Sequence, residues 1–172
     1  KIPINKNIEI SLKKIFLENI NYAGIAPGAG EKNKIWPINN FIEICKYLES
    51  KGLILVFYIG PKEKEYEKVL KDSFKNAIFL ENEKSLSNYS NIEIIMASTK
   101  FLKFAISNDS GVSHMLSTNC CPLIKLFGPK DSKKFTPKLK NLISVTSSEV
   151  NSNKIEDISV QRVKTVIEEI CL

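Results

Sequence analysis

The chain has 172 residues, 43% of them hydrophobic, and a formal net charge of +6 carried almost wholly by lysine, since Arg162 is its one arginine. That length supports one domain, residues 1–172, with a real core. No run approaches the roughly 18 uninterrupted apolar residues of a membrane span and the opening "KIPINKNIEI" carries no apolar signal segment, so a soluble, cytoplasmic protein is the expectation. Along the chain, Ile8, Leu12, Ile15 and Phe16 recur at helical spacing, and "YAGIA" (22–26) then reads as a strand ended by "PGAG". Phe41, Ile44, Cys45 and Leu48 make the apolar stripe of a helix lying between Pro37 and Gly52. "LILVFYI" (53–59) is apolar without alternation, as a strand covered on both faces must be, and Gly60-Pro61 closes it. Tyr66, Val69 and Leu70 mark a charged amphipathic helix, "AIFL" (77–80) a strand, Ile92, Ile95 and Met96 a helix, and "FLKFAIS" (101–107) another buried strand. A helix over about 111–118 follows, then strands at "LIKLF" and "LISV", and a last helix with Val163, Val166, Ile167 and Ile170 on its apolar side. Strands alternating with helices of this length imply right-handed crossovers and a mostly parallel sheet: an α/β, Rossmann-like, three-layer αβα domain.

The charge suits an anionic partner such as a nucleotide, a phosphorylated glycan or an acidic membrane surface. Sequence-specific nucleic-acid binding would call for arginine forks or a recognisable motif, and the sequence has neither, so no nucleic-acid partner is expected. Cys45, Cys120, Cys121 and Cys171 form no C-x-x-C pair and the single His cannot complete a zinc set, so no metal is expected and the thiols read as reduced core residues.

In an open parallel sheet, ligands gather beyond the C-terminal ends of the strands. Three loops there carry unusual residues: "APGAGEKNKIWP", "GPKEKE" and "SNDSGVSH". In the first, Gly28 and Gly30 permit positive φ, so the loop is either a plain turn or a cradle of backbone N–H groups for an anion. It is neither a Walker loop, lacking Gly-Lys-Ser/Thr, nor a dinucleotide fingerprint, since Asn33 stands three places after Gly30. Lys34 lies where a cation can reach a phosphate, and Trp36-Pro37 reads as packing followed by a helix start. In the third loop, Ser110 and Gly111 fall at a helix N-terminus suited to a diphosphate, and Asp109 either caps that helix or positions a ligand. His114, one turn further on, is a structural residue or a ligand contact. Ser110, His114 and Asp109 are too close in sequence to align as a hydrolytic triad, and the Gly-x-Ser-x-Gly elbow is missing. Glu63 and Glu65 follow the second strand, where a carboxylate can accept bonds from ribose hydroxyls or simply open a helix. Residues 128–140 hold five lysines against one aspartate: a solvated basic loop, or a contact for a phosphorylated acceptor or membrane face.

Together, "APGAGEKNKIWP", "YIGPKEKE", "SNDSGVSHM" and "LFGPKD", in this order and spacing, resemble the C-terminal half of glycosyltransferase family 9, the ADP-heptose:lipopolysaccharide heptosyltransferases. That family shows P-G-A-x-x-x-x-K-x-W-P, G-N-D-[ST]-G-x-x-H and F-G-P-T-D-P segments; Ser107 stands here where Gly is common, Lys130 where Thr is, and Ser132 where Pro is. The resemblance runs from Tyr22 onward and implies the C-terminal, donor-binding half of a two-domain GT-B enzyme that transfers a sugar from a nucleotide sugar such as ADP-heptose to a lipopolysaccharide-core-type glycolipid, without a cofactor. It implies that Gly28, Ala29 and Gly30 lie near the donor phosphates with Lys34. Asp109, Ser110, Gly111 and Val112 would hold diphosphate and sugar with His114 beside them, and Glu63 or Glu65 would bind ribose. The general base would come from an N-terminal acceptor domain. The chain begins without Met, and nothing before Tyr22 could be that domain, so an excised donor-binding domain, inactive alone and partnered by its own N-terminal half, is the expectation. The enzyme would be cytoplasmic, peripheral at the inner face of the membrane. A non-catalytic Rossmann-like module that binds a nucleotide or scaffolds a partner is the alternative.

Overall fold

The apolar runs all enter one sheet. In the computed structural model, which describes residues 5–60, 63–119, 121–128 and 141–170, the strands are β1 (Tyr22–Ala26), β2 (Ile54–Phe57), β3 (Ile78–Phe79), β4 (Phe104–Asn108), β5 (Leu123–Phe127) and β6 (Leu142–Thr146). Their order is β3-β2-β1-β4-β5-β6 and every pairing is parallel. β1, β4 and β5 are buried along their whole length, which is why they carry no polar alternation. β3, at one edge, is only two residues long.

Helices cover both faces. On one, α2 (Ile38–Ser50), α3 (Lys64–Ser73) and α6 (Val160–Ile170) bring Phe41, Ile44, Leu48, Leu70, Val163 and Ile167 against Ile25, Phe57, Ile106 and Leu126. On the other, α1 (Lys6–Ile15), α4 (Asn91–Ser98) and α5 (Gly111–Leu116) bring Ile8, Leu12, Ile94, Ala97 and Leu116 against Tyr22, Val56, Ala105 and Leu123. The result is the three-layer αβα, Rossmann-like architecture, with strands feeding alternate side chains to two separate cores. The stripe read along residues 41–48 is the buried face of α2, and Gly52 ends that helix in the left-handed region (φ 79°).

Local details differ from the sequence pattern. α4 buries Ile94 and Ala97 and leaves Ile92 54% exposed, because residues 94–97 are all apolar and their period cannot choose a face. Val69 points outward while Leu70 is buried. Pro37 is the N-cap of α2 and not its first helical residue. The expected helix at 111–118 stops at Leu116 and tightens into a 3₁₀ turn, Ser117–Asn119. Cys45 is a buried free thiol, and Cys121 is buried. Cys120, Cys171, the side chain of Ile170, Pro61-Lys62 and the basic stretch 129–140 lie outside the described residues. Among the described residues no helix is long and apolar enough to cross a membrane.

Candidate functional site

The strand order reverses between β1 and β4, which are neighbours although each leads to a strand on the opposite side. At such a switch point the two following loops diverge and leave a crevice at the C-terminal edge of the sheet. The loops after β1 and β4 are the first and third of the loops singled out in the sequence, and the loop after β2 adjoins them.

Asn108, the last residue of β4, joins the two crevice loops. Its Nδ2 donates to the Pro27 carbonyl (2.7 Å), and its Oδ1 accepts from the Trp36 backbone N–H (3.2 Å). Trp36 itself is fully buried: Nε1 donates to the Ile158 carbonyl (2.9 Å) and its ring meets Phe41 edge-on at 5.2 Å. The indole therefore anchors the loop in the core beneath, and Lys34 two residues earlier is presented at the crevice.

Asp109 is the electrostatic centre. Lys125 Nζ lies 2.6 Å from its Oδ1 and Lys34 Nζ 3.7 Å from its Oδ2; Lys34 also pairs with Glu31 at 2.8 Å. Asp109 does not cap α5. Ser110 does, its Oγ accepting from the Ser113 N–H at 3.4 Å while Ser113 Oγ accepts from the Ser110 N–H at 3.3 Å. The choice left open in the sequence, cap or ligand positioner, thus resolves against the cap, because the serine pair already satisfies those donors. Gly111 is exposed, and a Cβ added there would meet nothing within 4 Å. His114 is exposed one turn further along α5.

Lys125 was not among the residues the sequence suggested. Its place in the buried run "LIKLF" is the signal that could have found it: a lysine on a strand covered on both faces requires a buried partner.

The two glutamates separate. Glu63 is buried (8% exposed) and its N–H donates to the Gly60 carbonyl (3.1 Å); Glu65 is exposed on the first turn of α3. A Cβ at Gly28 would lie 2.4 Å from Glu63 Cδ, and one at Gly60 2.4 Å from Glu63 Oε2. Neither Gly28 nor Gly30 uses the positive φ that glycine permits; Gly28 matters for the room it leaves to a carboxylate.

Two clefts flank this edge. One of about 600 Å³ joins Ala29, Gly30, Lys32, Glu63, Glu65 and Tyr66. Burial, with the charges of Glu65 and Glu63, raises the Tyr66 phenol above its ordinary value. The other, about 190 Å³ and mainly apolar, is bounded by Tyr58, Gly60, Glu81, Asn91, Val112 and Met115. The site residues read from the sequence therefore share one edge, with Lys34, Asp109 and Ser110 at the crevice, Glu63 beside Gly28 and Gly60, and Val112 lining the apolar cleft.

The strand order, with three loops gathered at the switch point, defines a Rossmann-like domain. The model of glycosyltransferase family 9 (heptosyltransferase) matches residues 6–164, and the chain belongs to that family. It is 28% identical over 145 residues to lipopolysaccharide heptosyltransferase 1 of Campylobacter coli, covering 83% of this chain and 42% of that protein. Among solved structures, the family 9 glycosyl transferase of Veillonella parvula superposes with a TM-score of 0.83 at 19% identity, over 99% of this chain and 53% of the other. E. coli heptosyltransferase WaaC with ADP-2-deoxy-2-fluoro heptose superposes with a TM-score of 0.70 at 26% identity, over 92% and 47%. The chain thus spans about half the length of the relatives it matches.

Proposed function

We propose that this chain is the donor-binding half of an inverting, metal-independent glycosyltransferase that moves heptose from ADP-heptose to a lipopolysaccharide-core-type glycolipid acceptor. The observation that carries the reading is the convergence of Lys34 from the loop after β1 and Asp109 from the loop after β4, 3.7 Å apart at the switch point of a family 9 sheet. Similarity to a heptosyltransferase solved with an ADP-heptose analogue supports the choice of donor.

In this reading the donor diphosphate lies over Ser110 and Gly111, reached by Lys34, with Gly28, Ala29 and Gly30 along its side. The apolar cleft at Val112 and Met115 accepts the flat base, and the buried Glu63, in preference to the exposed Glu65, accepts from ribose hydroxyls. His114 contacts phosphate or sugar. When the acceptor hydroxyl attacks the anomeric carbon, the sugar–phosphate bond breaks and negative charge grows on the departing diphosphate. A fixed ammonium and fixed amide dipoles stabilise that charge more than they stabilise the bound donor, and this difference lowers the barrier. The proton of the acceptor hydroxyl goes to a base on the N-terminal half, so this chain alone binds donor without turning it over. The acceptor's lipid places the whole enzyme against the inner face of the cytoplasmic membrane.

Titration calorimetry with ADP tests the reading. Saturable one-to-one binding is expected, weakened about tenfold or more by Lys34→Ala through loss of a charge-assisted contact. A well-folded chain that takes up no ADP overturns it.

A further inference from the structure

Lys125 occupies the middle of β5, with apolar residues on both sides in sequence, and is 1% exposed. Strand alternation puts its side chain on the face of Leu123, toward α1, α4 and α5. The ammonium sits 2.6 Å from Asp109 Oδ1 and 4.8 Å from the centre of the Phe127 ring. Taking an ammonium out of water is costly, and a hydrophobic residue of similar volume often serves stability as well or better. Stability is therefore a weak reason for a lysine at this position, and its effect on Asp109 is a stronger one.

Asp109 stands immediately before Ser110 and Gly111, so its carboxylate presents a negative charge where the proposed ligand brings more. Left alone, it would repel a diphosphate and draw Lys34, which lies 2.8 Å from Glu31 and 3.7 Å from the other Asp109 oxygen, into a second tight pair. We propose that Lys125 is a positioning residue that neutralises Asp109 from beneath the site, fixes its orientation, and so leaves the Lys34 ammonium able to engage the phosphates of the ligand. The inference rests on the reading that a nucleoside diphosphate binds here. Lys125 itself touches no ligand; it acts through Asp109.

A double-mutant cycle on the 172-residue chain, read by calorimetry with ADP, tests this. ADP carries no transferred sugar, so contacts between Asp109 and the sugar do not enter. Lys125→Met is expected to raise the ADP Kd about tenfold, because the Asp109 charge is no longer countered from beneath and captures Lys34. In an Asp109→Asn background that charge is gone, and Lys125→Met is expected to change the ADP Kd by less than about threefold relative to Asp109→Asn alone. The double variant also contains no orphaned buried charge, so it gives an answer even where Lys125→Met fails to fold.

A purely structural lysine gives a different pattern: lower thermal stability with unchanged ADP affinity in the folded fraction, or a loss that persists undiminished when Asp109→Asn is added. Either result overturns the proposal. If the unaltered chain binds neither ADP nor inorganic pyrophosphate, the donor-site reading itself falls, which is distinct from a chain that binds ADP and is indifferent to Lys125.

Discussion

At the scale of single residues, the site depends on where each charge is held. Gly28 illustrates this without carrying a charge. A Cβ there would press on Glu63 Cδ at 2.4 Å, and the cheapest relief is for the carboxylate to swing away. Gly28→Ala is therefore expected to leave stability within about 1 kcal/mol, because the obstacle is the end of a flexible side chain. It should weaken ADP binding about fivefold to tenfold while pyrophosphate binding is kept, since in the proposed reading Glu63 serves the ribose. Parallel titrations with the two ligands check this, and equal losses for both would contradict it. Much of the site was legible one residue at a time: Lys34, Asp109 and Ser110 do meet at one crevice. The division of labour was not. Asp109 and Ser110 are both good helix caps by type, and only the serine pair Ser110–Ser113 shows which one serves. Lys125 escaped because its partner lies sixteen positions earlier in the numbering, just past the end of the neighbouring strand, where only the parallel register of β4 and β5 brings them together.

At the scale of elements, the crevice is a property of two loops and the strand end that joins them. Asn108 satisfies both loops with one carboxamide, and it is fully buried. Asn108→Ala leaves the Trp36 N–H and the Pro27 carbonyl without that partner, at an expected cost of about 2–3 kcal/mol in unfolding free energy. Urea unfolding measures it. A loss below about 0.5 kcal/mol would mean that the loops are held by their own packing. Strand and helix identities were legible because both repeat along the chain, as the stripe of α2 and the unbroken run of β2 show. The face of α4 was not, since four successive apolar residues give no phase. The tight packing of Glu63 against two glycines from different loops was equally out of reach, because no local pattern encodes contact between residues 28, 60 and 63.

At the scale of the molecule, two buried acids tie stability to pH. Burial pushes the Cys45 thiol and the Tyr58 phenol well above their ordinary values, and Tyr58 shares a 2.7 Å hydrogen bond with Ser98 Oγ. In the unfolded chain these groups release their protons above about pH 8.5 and about pH 10, respectively, whereas the folded chain retains them. The folded state then binds more protons, so stability is intact below those values and falls as pH rises, by up to about 1.4 kcal/mol per pH unit for each group. The urea midpoint is expected to decline between pH 8.5 and 10.5, and Cys45→Ala should flatten the lower part of that decline. A midpoint profile that Cys45→Ala leaves unchanged would contradict the assignment.

The edge of the sheet at β3 bears on how these molecules meet one another. A β-sheet ends wherever unpaired amides and carbonyls face water, and a long straight edge invites another chain to continue the ladder. Here that edge is Ile78–Phe79 alone, and the chain turns at once into a 3₁₀ segment at Leu80–Asn82. A visiting strand finds too few rungs to repay its ordering entropy, so the protein resists edge-to-edge aggregation on the side nearest the apolar cleft without spending a charged or proline residue inside β3.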